Sequence, residues 1–245
     1  MAGSPETNAM DRRDVVQAVI DQRRGRTYLE IGVKKGKLFL RVRARKKLAV
    51  DPVLKISLKR KVGAWLQDPF NLLNEYYEMT SDEFFQRRRQ RLERLPGLDV
   101  VFVDGLHTYE QSWKDVVNSL RYLSPKGVIL MHDCNPASSA QATPAGSRQE
   151  AAERQEVPRA GCWSGDVWKT IVRLRMERDD LRIGVLDCDH GIGVIVRGEP
   201  GSRPQFSSTE LEHMGYEDLA ANRRELLNLM PPERLAEWLS RPAAG

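Results

Sequence analysis

A chain of 245 residues suffices for one well-buried α/β domain, whereas two domains of half that size would each have a marginal core. No run approaches the roughly 20 apolar residues of a membrane-spanning helix, and the polar start MAGSPETNAMDRRD lacks the apolar centre of a signal peptide, so a cytoplasmic protein without a membrane span is expected. Three scattered cysteines (Cys134, Cys162, Cys188) exclude a disulfide framework and a thiolate zinc site, and the net charge of +5 is concentrated between Lys34 and Lys61 around the lone acid Asp51.

In chain order, Asp11 to Gln22 sets Val15, Val16, Val19 and Ile20 on one helical face, and Gly25 ends the pattern. TYLEIGV, LAVDP, LDVVFVDG and GVILMHDC are short β-branched runs ending on glycine or an acid, as strands buried on both faces of a parallel sheet do. Helical spacing alternates with them, in Tyr109 to Leu123 (Trp113, Val116, Val117, Leu120) and in Asp166 to Arg178 (Val167, Ile171, Leu174), which implies right-handed βαβ units. Between them, Ala137 to Ala160 has hardly a large apolar side chain and reads as a mobile loop, placed where a lid would close. LRIGVLDCDHGIGVIVRG reads as two strands around a turn, followed by helices around Leu226, Leu227 and Leu229 and around Leu235, Trp238 and Leu239, which either pack on the core or build a homodimer interface. The expected organisation is one domain over 1–245: an N-terminal helix in 1–26, a Rossmann-like core in 27–200 with the loop at 137–160, and a helical tail in 201–245.

At the end of the first strand, Glu30, Gly32 and Gly36 are spaced E-x-G-x-x-x-G, where glycine lets backbone pass close to a ligand. Asp51 follows about twenty residues later at the end of the next strand, where an acid can accept from both hydroxyls of a ribose. The G-x-G-x-x-G spacing that seats a pyrophosphate is missing, which disfavours NAD. Asp104 and Asp133 end two further strands, so both carboxylates emerge at the carboxyl edge of the sheet, beside a ligand bound there. With the Asn135 amide oxygen they form a candidate Mg²⁺ site. His132 precedes Asp133, and strand alternation turns it to the opposite face, a structural position. His190 and His213 have no partner acid at telling spacing, and Cys134 lacks an activating neighbour. Trp168 reads as core, while Trp163 is divided between core and acceptor pocket.

Taken in order, YLEIGVKKGKLFLRV, LAVDP, MTSDEFF, VFVDGLHTYEQSWKDV, LSPKGVILMHDCNP and GDVWKTIVRLR resemble the successive motifs of bacterial class I S-adenosylmethionine-dependent methyltransferases of the methyltransferase-24-like group, over Thr27 to Arg197. The resemblance implies a seven-stranded, mostly parallel Rossmann-like sheet with helices on both faces and the last strand antiparallel. It implies S-adenosylmethionine as cofactor, with Glu30, Gly32 and Gly36 around its methionine end, Asp51 at the ribose, Ser81 at the adenine and Asp104 beside it. The D-G-L-H run at Asp104 to His107 is similar to metal-dependent sugar O-methyltransferases, the mycobacterial methylmannose-polysaccharide type among them, where this histidine is the base. His107 takes that role by resemblance. The expected reaction is metal-assisted methylation of a hydroxyl on a small-molecule or oligosaccharide acceptor. A phenolic or catechol acceptor is the first alternative. Nucleic acid is the less favoured one, through an RNA methyltransferase using the basic stretch 34–61, which reads more simply as a solvated surface.

Overall fold

The structure is a computed structural model that describes residues 10–154 and 162–241. Helix α1 (Arg12–Arg23) begins at Asp11, whose carboxylate accepts from the Arg13 and Asp14 amides in a capping box, and turns its Val15, Val16, Val19 and Ile20 face inward. There follow β1 (Thr27–Ile31), β2 (Lys46–Asp51), α2 (Leu58–Gln67), a 3₁₀ turn at Pro69–Leu73, β3 (Glu75–Glu78), α3 (Ser81–Arg87), α4 (Arg89–Glu93), β4 (Leu98–Val103), α5 (Tyr109–Leu120) and β5 (Leu123–Met131). The second half holds α6 (Arg148–Glu153), α7 (Trp168–Glu177), β6 (Leu181–Leu186), β7 (Ile192–Arg197), α8 (Ser208–His213), α9 (Tyr216–Leu227), β8 (Leu229–Met230) and α10 (Leu235–Ser240).

One sheet runs β3-β2-β1-β4-β5-β7-β6-β8. β7 pairs antiparallel with both β5 and β6, and the remaining pairs are parallel. This is the expected Rossmann-like architecture. The difference from seven strands is the two-residue β8, which the tail adds at the far edge beside β6. β1, β6 and most of β4 are buried on both faces, because helices cover each side of the sheet. α5, α7 and α9 pack one face around Leu29, Val101, Ile129 and Ile183. α1, α10 and the 33–44 segment pack the other around Tyr28, Val100, Leu130 and Val194. Leu235, Trp238 and Leu239 are therefore core residues of their own chain. No described helix is long and apolar enough to cross a membrane.

Two sequence expectations change. The described part of the 137–160 loop is folded, with α6 and buried Ala142 and Ala151, because Ser138 and Ser147 bond local backbone amides and the Ser164 and Gly165 amides donate to the Gln141 carbonyl. Residues 155–160 lie outside the described residues. Lys47 leaves the basic surface altogether. It is fully buried, and its ammonium donates to the Phe39 carbonyl at 2.8 Å, the Val42 carbonyl at 2.7 Å and Asn71 Oδ1 at 2.6 Å, tying β2 to the 33–44 turn and the 3₁₀ segment. Burial pushes its pKa down to about 8 against the pull of Asp68 and Glu30. Replacing Lys47 by methionine strands the buried Phe39 and Val42 carbonyls, while Asn71 Oδ1 keeps Asn74 Nδ2 at 2.9 Å, at a cost of about 3 kcal/mol. Thermal denaturation should register a drop in Tm of about 10 °C, and an unchanged Tm would mean that water reaches those carbonyls.

Candidate active site

The carboxyl ends of β1, β2, β4 and β5 meet at one edge of the sheet. Glu30 sits one residue before the end of β1, only 3% exposed, and its Oε2 accepts from the Tyr28 hydroxyl at 2.6 Å. Burial drives its carboxyl up to about 8; the Tyr28 hydrogen bond and the Lys47 charge oppose the shift and the Asp104 charge adds to it. Gly32 follows with φ +93°, its amide donating to the Val50 carbonyl at 2.9 Å, and the Asp104 amide donates to the Ile31 carbonyl at 2.8 Å. β1 and β4 thus close over a position where a Cβ would lie 1.9 Å from the Asp104 carbonyl oxygen. Asp51, at the end of β2, accepts the Lys34 amide on Oδ2 (2.7 Å) and the Val53 amide on Oδ1 (2.8 Å). Those two bonds fix its plane while each oxygen keeps a lone pair. Gly36 turns the intervening loop at φ +65° against Ile56.

Ser81 follows the carboxyl end of β3. It opens α3, and its hydroxyl accepts from Gln111 Nε2 (3.1 Å), which also donates to Asp115 Oδ1 (3.0 Å). The Ser81 hydroxyl in turn bonds Asp115, whose carboxyl burial raises to about 6. The group binds α3 to α5, so Ser81 has no free donor to offer a base.

Asp104, His107 and Asp133 bring one ligand atom each to within 4.8 Å of one another. His107 Nδ1–H donates to the Trp163 carbonyl at 2.7 Å and the two rings stack at 5.4 Å, so the tautomer is set and Nε2 faces Asp104 Oδ1 (3.3 Å) and Asp133 Oδ2 (3.4 Å). Asp133 Oδ1 accepts from the Ser164 hydroxyl at 2.8 Å. Behind this group lies a second one that the sequence did not reveal. His132 Nδ1 stands 2.9 Å from Asp133 Oδ2 and 3.5 Å from Asp104 Oδ1, and its Nε2 stands 3.4 Å from Asp189 Oδ1. Arg12 grips Asp189 bidentately, Nε to Oδ2 at 2.8 Å and Nη2 to Oδ1 at 3.0 Å, and sends Nη1 to Asp104 Oδ2 at 3.0 Å. His132 is therefore in the site and not on the opposite face: β5 ends at Met131 and Asp133 takes φ +62°, so alternation lapses one residue before it is applied.

Buried Asp133 and half-buried Asp104 and Asp189 here face a guanidinium and two imidazoles. Burial pushes Asp104 up, but the charge of His132 and hydrogen bonds from His107 and His132 outweigh it and hold the carboxyl below the usual range. For Asp133 the bond and charge of His132 overcome burial in the same way. Burial pulls both histidines down, and the carboxylates overcome it: Asp104 and Asp133 raise His107, and Asp104, Asp133 and Asp189 raise His132 well above the ordinary value. Two carboxylates and an imidazole fit a divalent cation, and the nitrogen donor favours a transition ion such as Mn²⁺ over Mg²⁺. Asn135 does not join them: its oxygen accepts from Arg223 and its amide donates to Asp187 at 3.0 Å. Trp168 is core, at 1% exposed, and burial raises the Cys134 thiol, which removes it as a nucleophile.

A family model described as a methyltransferase domain matches residues 29–134, the segment that carries every strand end just described. No curated protein matches the chain. Among solved structures the chain is similar to an O-methyltransferase of Bacillus cereus in complex with SAH, at 14% identity and TM-score 0.50 over 80% of this chain and 82% of that one. It is likewise similar to the Streptomyces achromogenes O-methyltransferase involved in tomaymycin synthesis, in complex with SAM, at 12% identity and TM-score 0.51 over 80% and 81%. A third is an SAH-bound Podospora anserina methyltransferase, at 15% identity and TM-score 0.50 over 80% and 83%. At such identities the likeness is one of fold.

Proposed function

We propose that this methyltransferase domain transfers the methyl group of S-adenosylmethionine to a hydroxyl oxygen of a sugar or saccharide-containing acceptor, with His107 as the base. The observation that carries the reading is the orientation of His107: Nδ1–H is committed to the Trp163 carbonyl, which leaves Nε2 as the nitrogen that exchanges a proton at the carboxyl edge between Asp104 and Asp133. Glu30 receives the amino group of the cofactor, whose positive charge returns that buried carboxyl to its ionised form. Asp51 takes the ribose hydroxyls with the lone pairs its two backbone bonds leave free. Gly32 lets the backbone pass beside the methionine end.

His107 Nε2 accepts the acceptor's hydroxyl proton as the oxygen attacks the methyl carbon, the C–O bond forming as the C–S bond breaks and the sulfonium leaving as a neutral thioether. Asp104 and Asp133 stabilise the imidazolium formed, and Arg12, His132 and Asp189 hold both carboxylates in place behind it. Asp104 and Asp133, with His107 Nε2 in reach, would hold a divalent cation, which when bound lowers the pKa of an acceptor hydroxyl. The sugar class rests on the resemblance of D-G-L-H to sugar enzymes.

Calorimetric titration with S-adenosylhomocysteine, with and without Mg²⁺ or Mn²⁺, and with NADH as control, tests the cofactor assignment. The expected outcome is binding of the homocysteine compound and none of NADH. A folded sample that binds neither would overturn the proposal. An acceptor screen then separates hydroxyl classes: turnover of a catechol but of no saccharide would replace the sugar reading, because a phenol ionises without needing so strong a base.

A further inference from the structure

The amphipathic segment between β2 and β3 belongs to neither the cofactor site nor the cluster around His107. Leu58, Val62 and Leu66 recur every four residues, one exposed stripe along α2, and Phe70, Leu72 and Leu73 extend it over the 3₁₀ turn. Leu66 is 83% exposed and Leu58 70%, and among the described residues every large exposed hydrophobic side chain except Leu106 falls between Val53 and Leu73. An apolar surface gathered this tightly marks an interaction site rather than scatter. Its border is basic. Pro52 to Leu73 holds Lys55, Lys59, Arg60 and Lys61 against the single acid Asp68. The loop bearing Lys34, Lys35 and Lys37 adjoins it, through the Lys55 amide on the Lys34 carbonyl and the Arg60 guanidinium on the Lys35 carbonyl, both at 2.8 Å. Lys59, Arg60 and Lys61 also fill the first turn of α2, the end where the helix dipole disfavours cations. Basic residues kept where they weaken their own helix point to a demand from outside it.

We propose that this face docks on an anionic lipid bilayer, with Leu58, Val62, Leu66 and Phe70 entering the interface and Lys55 and Lys59 meeting the headgroups. A second copy of the chain fits less well, since a two-fold contact would set this basic border against itself. RNA fits less well because the exposed side chains are aliphatic, Phe70 apart, and offer bases no stacking platform. Segments 1–9, 155–161 and 242–245 carry one Met and one Val as their only large apolar residues, too few to cover the stripe.

Cosedimentation of the full chain with vesicles tests the proposal. Binding to phosphatidylcholine vesicles carrying about 30 mol % phosphatidylglycerol, falling with added salt and weak on phosphatidylcholine alone, is expected. Lys55→Gln and Lys59→Gln should each lower the partition constant about fivefold, and Leu66→Glu, at an exposed position where the fold stays intact by circular dichroism, should abolish binding. Three results overturn it: no sedimentation with anionic vesicles at low salt; sedimentation that Leu66→Glu does not change; or no vesicle binding together with either a dimer that Leu66→Glu dissociates or salt-sensitive binding to single-stranded RNA.

Discussion

Replacing His107 by alanine is expected to lower kcat by about 10²- to 10⁴-fold while leaving S-adenosylhomocysteine affinity and Tm nearly unchanged. The split follows from what the imidazole touches. Its partners are the Trp163 carbonyl and the two carboxylates, and Asp104, the one of these expected beside the cofactor, keeps its place through Arg12. Removing it does not strand Asp104 or Asp133, because Arg12 still pairs with Asp104 and His132 still bonds Asp133. The same variant separates two roles for Nε2. If it serves as a metal ligand, His107→Ala weakens cation affinity and excess Mn²⁺ recovers the rate; if it serves as the base, excess metal does not. An unchanged kcat would remove His107 from the reaction.

The parts of the site that the sequence disclosed are those governed by strand ends. Asp104 and Asp133 close apolar runs, and in a parallel sheet that alone places them at the ligand edge; Glu30, Gly32 and Asp51 follow from the same logic. Local rules failed where the chain stopped obeying them. His132 was assigned by alternation, which holds only inside a strand, and the left-handed Asp133 ends the strand. The partners of Ser81 and Asn135 are ones that spacing cannot see, Gln111 from a neighbouring helix and Arg223 from α9. Arg12 and Asp189 are 177 residues apart in the chain, so no local pattern joins them. Half of that pair was nonetheless within reach. β6 runs parallel to β5, so the turn into antiparallel β7, which carries Asp189 and His190, must return at the carboxyl edge. The D-H-G turn was read by its own composition when its address in the sheet was the informative part.

Gly32→Ala should be among the most damaging small substitutions at the described residues. A Cβ there meets the Asp104 carbonyl oxygen at 1.9 Å, its carbon at 2.3 Å and the Gly105 nitrogen at 2.7 Å, all backbone atoms of the adjoining strand end and none of them the movable tip of a side chain. To reach van der Waals contact the two chains must part by about 1.5 Å, which breaks the Asp104 amide bond to the Ile31 carbonyl and moves Asp104 away from Arg12 and His107. The φ of +93° adds strain for any residue with a Cβ. Together these put the loss at about 4 kcal/mol or more, in the range reserved for buried collisions, read as a fall in Tm of about 8–16 °C with loss of S-adenosylhomocysteine binding. Gly63→Ala is the matched control. It lies within α2 with no atom inside 4 Å of its would-be Cβ, so the same added methyl should raise stability by up to about 1 kcal/mol. Equal behaviour of the two variants would mean that β1 and β4 can separate freely at their carboxyl ends, and the placement of Asp104 against His107 would then not depend on glycine at position 32.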